Sequence, residues 1–222
     1  MTDFSTPYSA ECLGDIFDDD EFRGQQFSLR ELYGYDHQDR EFDEQFGFTA
    51  PFEKIRARSE DQFSELSLAY RFVVDLVGQL GLHKGDTVLD VGSGTGRLGM
   101  MLHHLTGASV HGIELEPTYV EYANRRVAEA GFERVRFEVG DASLTTDFRK
   151  ASVVTLINPF RGELLERFLE NLRGYLSVSE RPVALVHQGL CSLQIINKDW
   201  LHAVDESSGI DEVAIRRLAS HG

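Results

Sequence analysis

The run Thr87-Val-Leu-Asp-Val91 leads without a spacer into Gly92-Ser-Gly-Thr-Gly96, and apolar residues at helical spacing follow from Arg97. A short apolar run bounded by turn residues suits a strand buried on both faces, as in parallel sheets whose two faces are covered. Three glycines in five residues let the backbone turn sharply and come close to a ligand where a side chain would collide. Strand, tight turn and helix form the opening of a βαβ unit. The spacing Gly92-x-Gly94-x-Gly96 puts Arg97 where a dinucleotide fingerprint requires glycine, and no Gly-Lys-Ser/Thr follows to make a phosphate-binding P-loop.

The pattern repeats downstream. Residues 97 to 106 read as a helix, Ser109 to Glu114 as a strand, Thr118 to Ala130 as a helix closed by Gly131, and Arg134 to Val139 and Ser152 to Asn158 as strands. Glu163 to Leu176 reads as a helix and Pro182 to His187 as a strand. One or two helical turns then lead to Trp200 to Val204 and Glu212 to Leu218 as a final antiparallel pair. Upstream, Phe63, Leu66, Phe72, Val73, Leu76 and Leu80 predict a half-buried helix over 59–82, with Ser59 at its start. The expected fold class is α/β: a doubly wound, mostly parallel sheet covered on both sides and joined by right-handed crossovers.

Residues 1–55 read as a separate unit and 56–222 as the main domain. Residues 1 to 52 carry 13 Asp or Glu against Arg23, Arg30 and Arg40, a balance of −10 within a chain total of −15. The same segment holds 11 of the 23 aromatic residues, a composition unlike that of disordered chains. It reads either as a lid over the ligand crevice or as a helical cap that fills core away from it. With no basic patch to neutralise phosphates, a nucleic-acid substrate is not expected. No apolar run is long enough to span a membrane, and the N-terminus lacks the features of a secretion signal, so the expectation is a cytoplasmic protein. Cys12 and Cys191 stand far apart, and the adjacent His103 and His104 diverge on a helix, so no metal site is expected.

Ligands of open α/β sheets bind at the carboxyl ends of the strands. Glu114 ends the second strand, 24 residues after Asp90, where a carboxylate can accept from both hydroxyls of an adenosine ribose. Gly140-Asp141-Ala142 ends the third strand and Asn158-Pro159-Phe160 the fourth. Together these strand ends resemble the class I S-adenosylmethionine-dependent methyltransferases over roughly residues 59 to 218. The resemblance implies a Rossmann-like methyltransferase fold and S-adenosyl-L-methionine as cofactor. It implies that Asp90, Gly92, Ser93, Gly94, Thr95 and Gly96 pack against the methionine moiety. Glu114, with Leu115 beside it, would hold the ribose, and Asp141 with Ala142 would face the adenine. Asn158-Pro159-Phe160 also resembles the Asn-Pro-Pro-Tyr motif with which some members hold a nitrogen nucleophile, although the second proline and the tyrosine are missing.

Two chemistries fit such a pocket. In methyl transfer to a small-molecule or protein nucleophile, alignment and exclusion of water do most of the work. Asn158, Phe160 and His187 are the candidate catalytic residues, with His187 read either as a proton acceptor or as a core histidine with a satisfied hydrogen bond. Alternatively, the cofactor's own amino nitrogen attacks its γ-carbon, giving azetidine-2-carboxylate and methylthioadenosine, with an aromatic lid steadying the sulfonium by cation–π contact. A third reading is an inactive cofactor-binding regulatory subunit. A small molecule is the expected partner, and the oligomeric state is not legible.

Overall fold

A computed structural model of the protein describes residues 37–48, 68–179, 182–203 and 214–218. In chain order the elements are α1 (His37–Phe46), α2 (Tyr70–Leu80), β1 (Thr87–Val91), α3 (Arg97–Thr106), β2 (Ser109–Glu114), α4 (Pro117–Ala130) and β3 (Val135–Val139). A 3-10 turn at Ala142–Leu144 precedes β4 (Val153–Ile157), α5 (Gly162–Leu176), β5 (Ala184–Gln188), the short α6 (Ser192–Ile195), β6 (Leu201–Ala203) and β7 (Ala214–Leu218). The sheet order is β3-β2-β1-β4-β5-β7-β6. The first five strands are parallel, and β7 runs antiparallel between β5 and β6, the final pair expected from sequence.

Strand alternation divides the core into two layers. Val88, Val110, Phe137, Val153 and Val186 face α2, α3 and α4. Leu89, Val91, Val154, Leu156 and Leu185 face α5, which buries Leu165, Phe168, Leu169 and Leu172 against them. Both layers are needed because the central strands are buried on both sides, so β1 lies fully inside the molecule from Val88 onward. In one respect the covering is thinner than expected: β3 is joined to β4 by the 3-10 turn and a loop, with no helix. Over β2 and β3 that face therefore carries half-buried or exposed His111, Arg136 and Glu138, with Arg149 bridging to Glu138 at 2.9 Å. Arg149 and Lys150 both adopt positive φ in the turn that returns the chain to β4 and seats Phe148 in the core.

The helix expected over 59–82 is α2 from Tyr70 to Leu80; the proposed start at Ser59 lies outside the described residues. Gly81 takes a left-handed conformation and closes α2 with N–H bonds back to the last turn, as glycine does at helix ends. Its first turn is capped from another element: Ala69 has no capping side chain, and Asp39 of α1 accepts from the Tyr70 N–H at 2.8 Å. α1 is otherwise polar, but Phe42 and Phe46, four residues apart on one face, pack with Phe48, Tyr70, His104 and Phe132. Among the described residues, no helix is long and apolar enough to cross a membrane.

Candidate functional site

The carboxyl ends of β1, β2, β4 and β5 converge on the turn that follows β1. That turn is fixed at its front by β2: the Gly92 and Ser93 N–H groups both donate to the Ile113 carbonyl, at 2.9 and 3.1 Å. Its middle is fixed by a side chain, because the Gly94 N–H donates to Oε2 of Glu114 at 2.9 Å. The other oxygen of Glu114 accepts from the Glu116 N–H, also at 2.9 Å. Two backbone donors thus set the orientation of a half-buried carboxylate. Each of its oxygens can accept a further hydrogen bond.

Glycine is required at this turn for space as well as conformation. Gly92, Gly94 and Gly96 all have positive φ, and a Cβ on Gly92 would lie 2.5 Å from the Pro159 side chain. One on Gly96 would strike Phe137 and Ala123 at 2.7 to 2.8 Å. Pro159 follows Asn158, itself at positive φ, whose amide oxygen accepts from the Leu190 N–H at 3.0 Å while its N–H donates to the Gln188 carbonyl. The β1, β4 and β5 loops therefore touch one another through Gly92, Pro159, Asn158 and Gly189.

Asp90 lies beneath this turn. Its Cα partners across the sheet are Gly112 and Thr155, and Thr155 donates its hydroxyl to Oδ1 at 2.6 Å. Oδ2 is buried and has no hydrogen-bond partner among the described residues, and the same holds for the Ser93 hydroxyl. Burial raises the Asp90 pKa to about 6; the Thr155 hydrogen bond opposes the rise and the nearby Glu114 charge adds to it. Gly112 completes this layer, since a Cβ there would sit 2.7 Å from the Ser93 oxygen and closer still to Phe137.

Asp90, Gly92, Ser93, Gly94, Thr95, Gly96 and Glu114 thus occupy one continuous region, with half-buried Leu115 next to it. Asp141 is exposed and caps the 3-10 turn through Ser143, its oxygen accepting from the Ser143 N–H and hydroxyl at 3.0 and 2.7 Å, while Ala142 is buried. Phe160 turns into the core layer that faces α5, against Phe168, ring centroids 5.9 Å apart. His187 is fully buried and its Nδ1 lies 2.7 Å from the Ser192 hydroxyl. Sequence reasoning missed Thr155 and Gly112. A lone hydroxyl in Val153-Val-Thr-Leu-Ile157 was the available signal, because a polar group in a buried strand needs a partner.

The arrangement suits a ligand carrying a diol and positive charge: a glycine-lined turn, a pre-oriented carboxylate, and buried polar atoms beneath them. Residues 82–161 match a family model described as a methyltransferase domain. The chain is 40% identical over 79 residues to a protein-L-isoaspartate O-methyltransferase of Anaeromyxobacter, covering 35% of this chain and 32% of that protein. It is 36% identical over 88 residues to geranyl diphosphate 2-C-methyltransferase of Streptomyces lasalocidi, covering 39% of this chain and 28% of that one. The chain therefore spans about a third of the length of these curated relatives. Among solved structures, an RNA methyltransferase from Salinibacter ruber, in complex with S-adenosyl-L-homocysteine, superposes with a TM-score of 0.50. The match covers 69% of this chain and 92% of that one at 24% identity, and shows a shared fold. Residues 82–161 are therefore similar to a methyltransferase domain, and the sheet that carries them has the fold of that structure.

Proposed function

We propose that the protein binds S-adenosyl-L-methionine at the β1 turn and transfers its methyl group to a small-molecule nucleophile. The observation that carries this reading is Glu114: two backbone N–H groups, one of them from the glycine turn itself, aim its carboxylate while leaving acceptor capacity for a ribose diol. The cofactor, when bound, supplies an electrophilic methyl on a sulfonium. The chain's own residues bind and orient. Glycines 92, 94 and 96 let the backbone approach the ligand, Glu114 holds the ribose, and Leu115 and Ala142 offer apolar contact on the adenine side, with Asp141 at its rim.

Asp90 and the Ser93 hydroxyl supply buried acceptors for the methionine end. A positively charged ligand there favours the ionised form of Asp90 and displaces its proton below about pH 6. Asn158 shapes the acceptor side by locking the β4 loop to the β5 loop. Phe160 and His187 act from beneath, because both are buried against the protein, and His187 orients the start of α6 through Ser192.

A small acceptor is supported by the net charge of −15, which repels a phosphate backbone, and by relatives named for methylation of geranyl diphosphate and tocopherol. Phe42, Phe46 and Phe48 pack into the core layer under α2, α3 and α4, which favours methyl transfer over cyclisation behind an aromatic lid; the rest of that expected lid lies outside the described residues. The test starts with purified protein and S-adenosyl-L-methionine alone, with products followed by mass spectrometry. Tight binding without turnover, then methylation of a member of a small-metabolite panel, is the expected outcome. Methylthioadenosine with azetidine-2-carboxylate formed without an acceptor would replace this reading by cyclisation, and absence of binding would overturn both.

A further inference from the structure

Arg97, the residue that breaks the dinucleotide spacing, opens α3 directly after the glycine turn, and its side chain reaches α1 and the chain just before α2. There the buried guanidinium donates from Nε to Asp43 at 2.6 Å, from Nη1 to the Leu68 carbonyl at 2.8 Å, and from Nη2 to Asp39 at 2.8 Å. It also lies over the Phe42 ring at 5.6 Å. Asp39 is fully buried, and the oxygen that meets Arg97 also caps α2 at Tyr70. One guanidinium and one carboxylate thus join α1, α2 and α3 at the residue where the turn becomes helix. A second tie comes from Gly47, just past α1, whose carbonyl accepts from Tyr122 and Arg126 of α4 at 2.9 and 3.2 Å.

We infer that Arg97 is a positioning residue for the cofactor turn, and that docking of α1 through Asp39 and Asp43 is energetically coupled to cofactor binding. A turn with three glycines in five residues has more backbone freedom to lose on binding than one built of residues with side chains. Its front is held by the Ile113 carbonyl and Glu114. Its back is held at Gly96, which donates to the Ser93 carbonyl and starts the α3 ladder through Met100, and so by whatever fixes the first turn of α3. The buried ion cluster fixes that turn. Ordering α1 therefore pre-orders the turn, and by reciprocity a ligand that orders the turn favours docked α1 by the same factor.

This inference rests on the proposed cofactor, and the experiment separates the two. In the full chain, S-adenosyl-L-homocysteine affinity is measured by calorimetry, and amide exchange of residues 37–46 is followed with and without it, for wild type, Arg97→Gln, Arg97→Lys and the milder Asp43→Asn. Coupling between sites commonly lies between about 5- and 150-fold. The expected result is a loss of affinity of about fivefold or more in Arg97→Gln, a smaller loss in Arg97→Lys and Asp43→Asn, and ligand-induced slowing of α1 exchange in wild type that shrinks in step across the series. Binding that leaves α1 exchange unchanged in wild type, or Asp43→Asn loosening α1 at unaltered affinity, would overturn the coupling while leaving the cofactor in place. Absence of binding in wild type overturns the cofactor reading and the coupling with it.

Discussion

Asp90→Asn should make the ligand-free protein more stable at neutral pH while weakening its hold on the cofactor. The native carboxyl keeps its proton up to about pH 6, whereas an unperturbed one loses it near 3.8. Between these values the folded state binds more protons than the unfolded state, so stability falls as pH rises through the window, and above it the full cost of the buried charge is present. At ~1.4 kcal/mol per pH unit, the gap amounts to roughly 3 kcal/mol. Asparagine keeps an oxygen for the Thr155 hydroxyl but places an amide at Oδ2, which has no partner among the described residues, and an unsatisfied buried donor costs about 1–2 kcal/mol. The net gain is about 1–2 kcal/mol, a rise in Tm of roughly 3–6 °C for a domain of this size. Thermal melts of both proteins from pH 4.5 to 8 provide the assay. The advantage of the variant should be full at pH 7.5 and fade as pH falls through 6 towards 4.5. A variant that melts below wild type at pH 7.5, or a difference that stays constant across the range, would refute the reasoning.

Other perturbations have defined outcomes. Glu114→Ala should weaken S-adenosyl-L-methionine binding by ~1.5–3 kcal/mol, as measured by calorimetry, and wild-type affinity would remove Glu114 from the ribose site. Gly112→Ala must displace Phe137 and the Ser93 hydroxyl, so urea unfolding should show a loss of about 1–3 kcal/mol together with reduced cofactor affinity. Asp39→Ala uncaps α2 and strips one carboxylate from buried Arg97, and should cost about 3–5 kcal/mol in the same assay, more than Asp43→Ala. Cofactor affinity in wild type should rise with pH through about 6 as the proton on Asp90 ceases to compete, and a flat profile from pH 5 to 7.5 would show that Asp90 does not sense the ligand.

The strands and the turn were legible because their signals are local. Apolar runs ending in glycine, Glu114 or Asn158 mark both a strand and the place where it stops, and the observed boundaries differ from the expected ones by a residue or two. What escaped depends on partners far along the chain. Thr155 gains its meaning only when β4 pairs with β1 and brings it to Asp90, 65 residues away. The start of α2 carries no local cap, so its sequence does not announce where the helix begins. Arg97 read as a departure from a glycine motif, because nothing nearby shows that Asp39 and Asp43 wait for it 58 and 54 residues upstream. The crossover from β3 to β4 contains no helical periodicity, but the thin, polar covering that results over β2 and β3 emerges only from the assembled sheet.

The buried Arg97 cluster also orders events during synthesis. α1 is made well before Arg97, the cation that Asp39 and Asp43 meet in α3, and the apolar floor beneath Phe42 requires strands made later still. An element whose contacts are mostly non-local carries a loop-closure cost before it gains anything in return. α1 should therefore dock late, onto a sheet that is already forming. During that interval the balance of −10 over residues 1–52 keeps growing chains apart by like-charge repulsion.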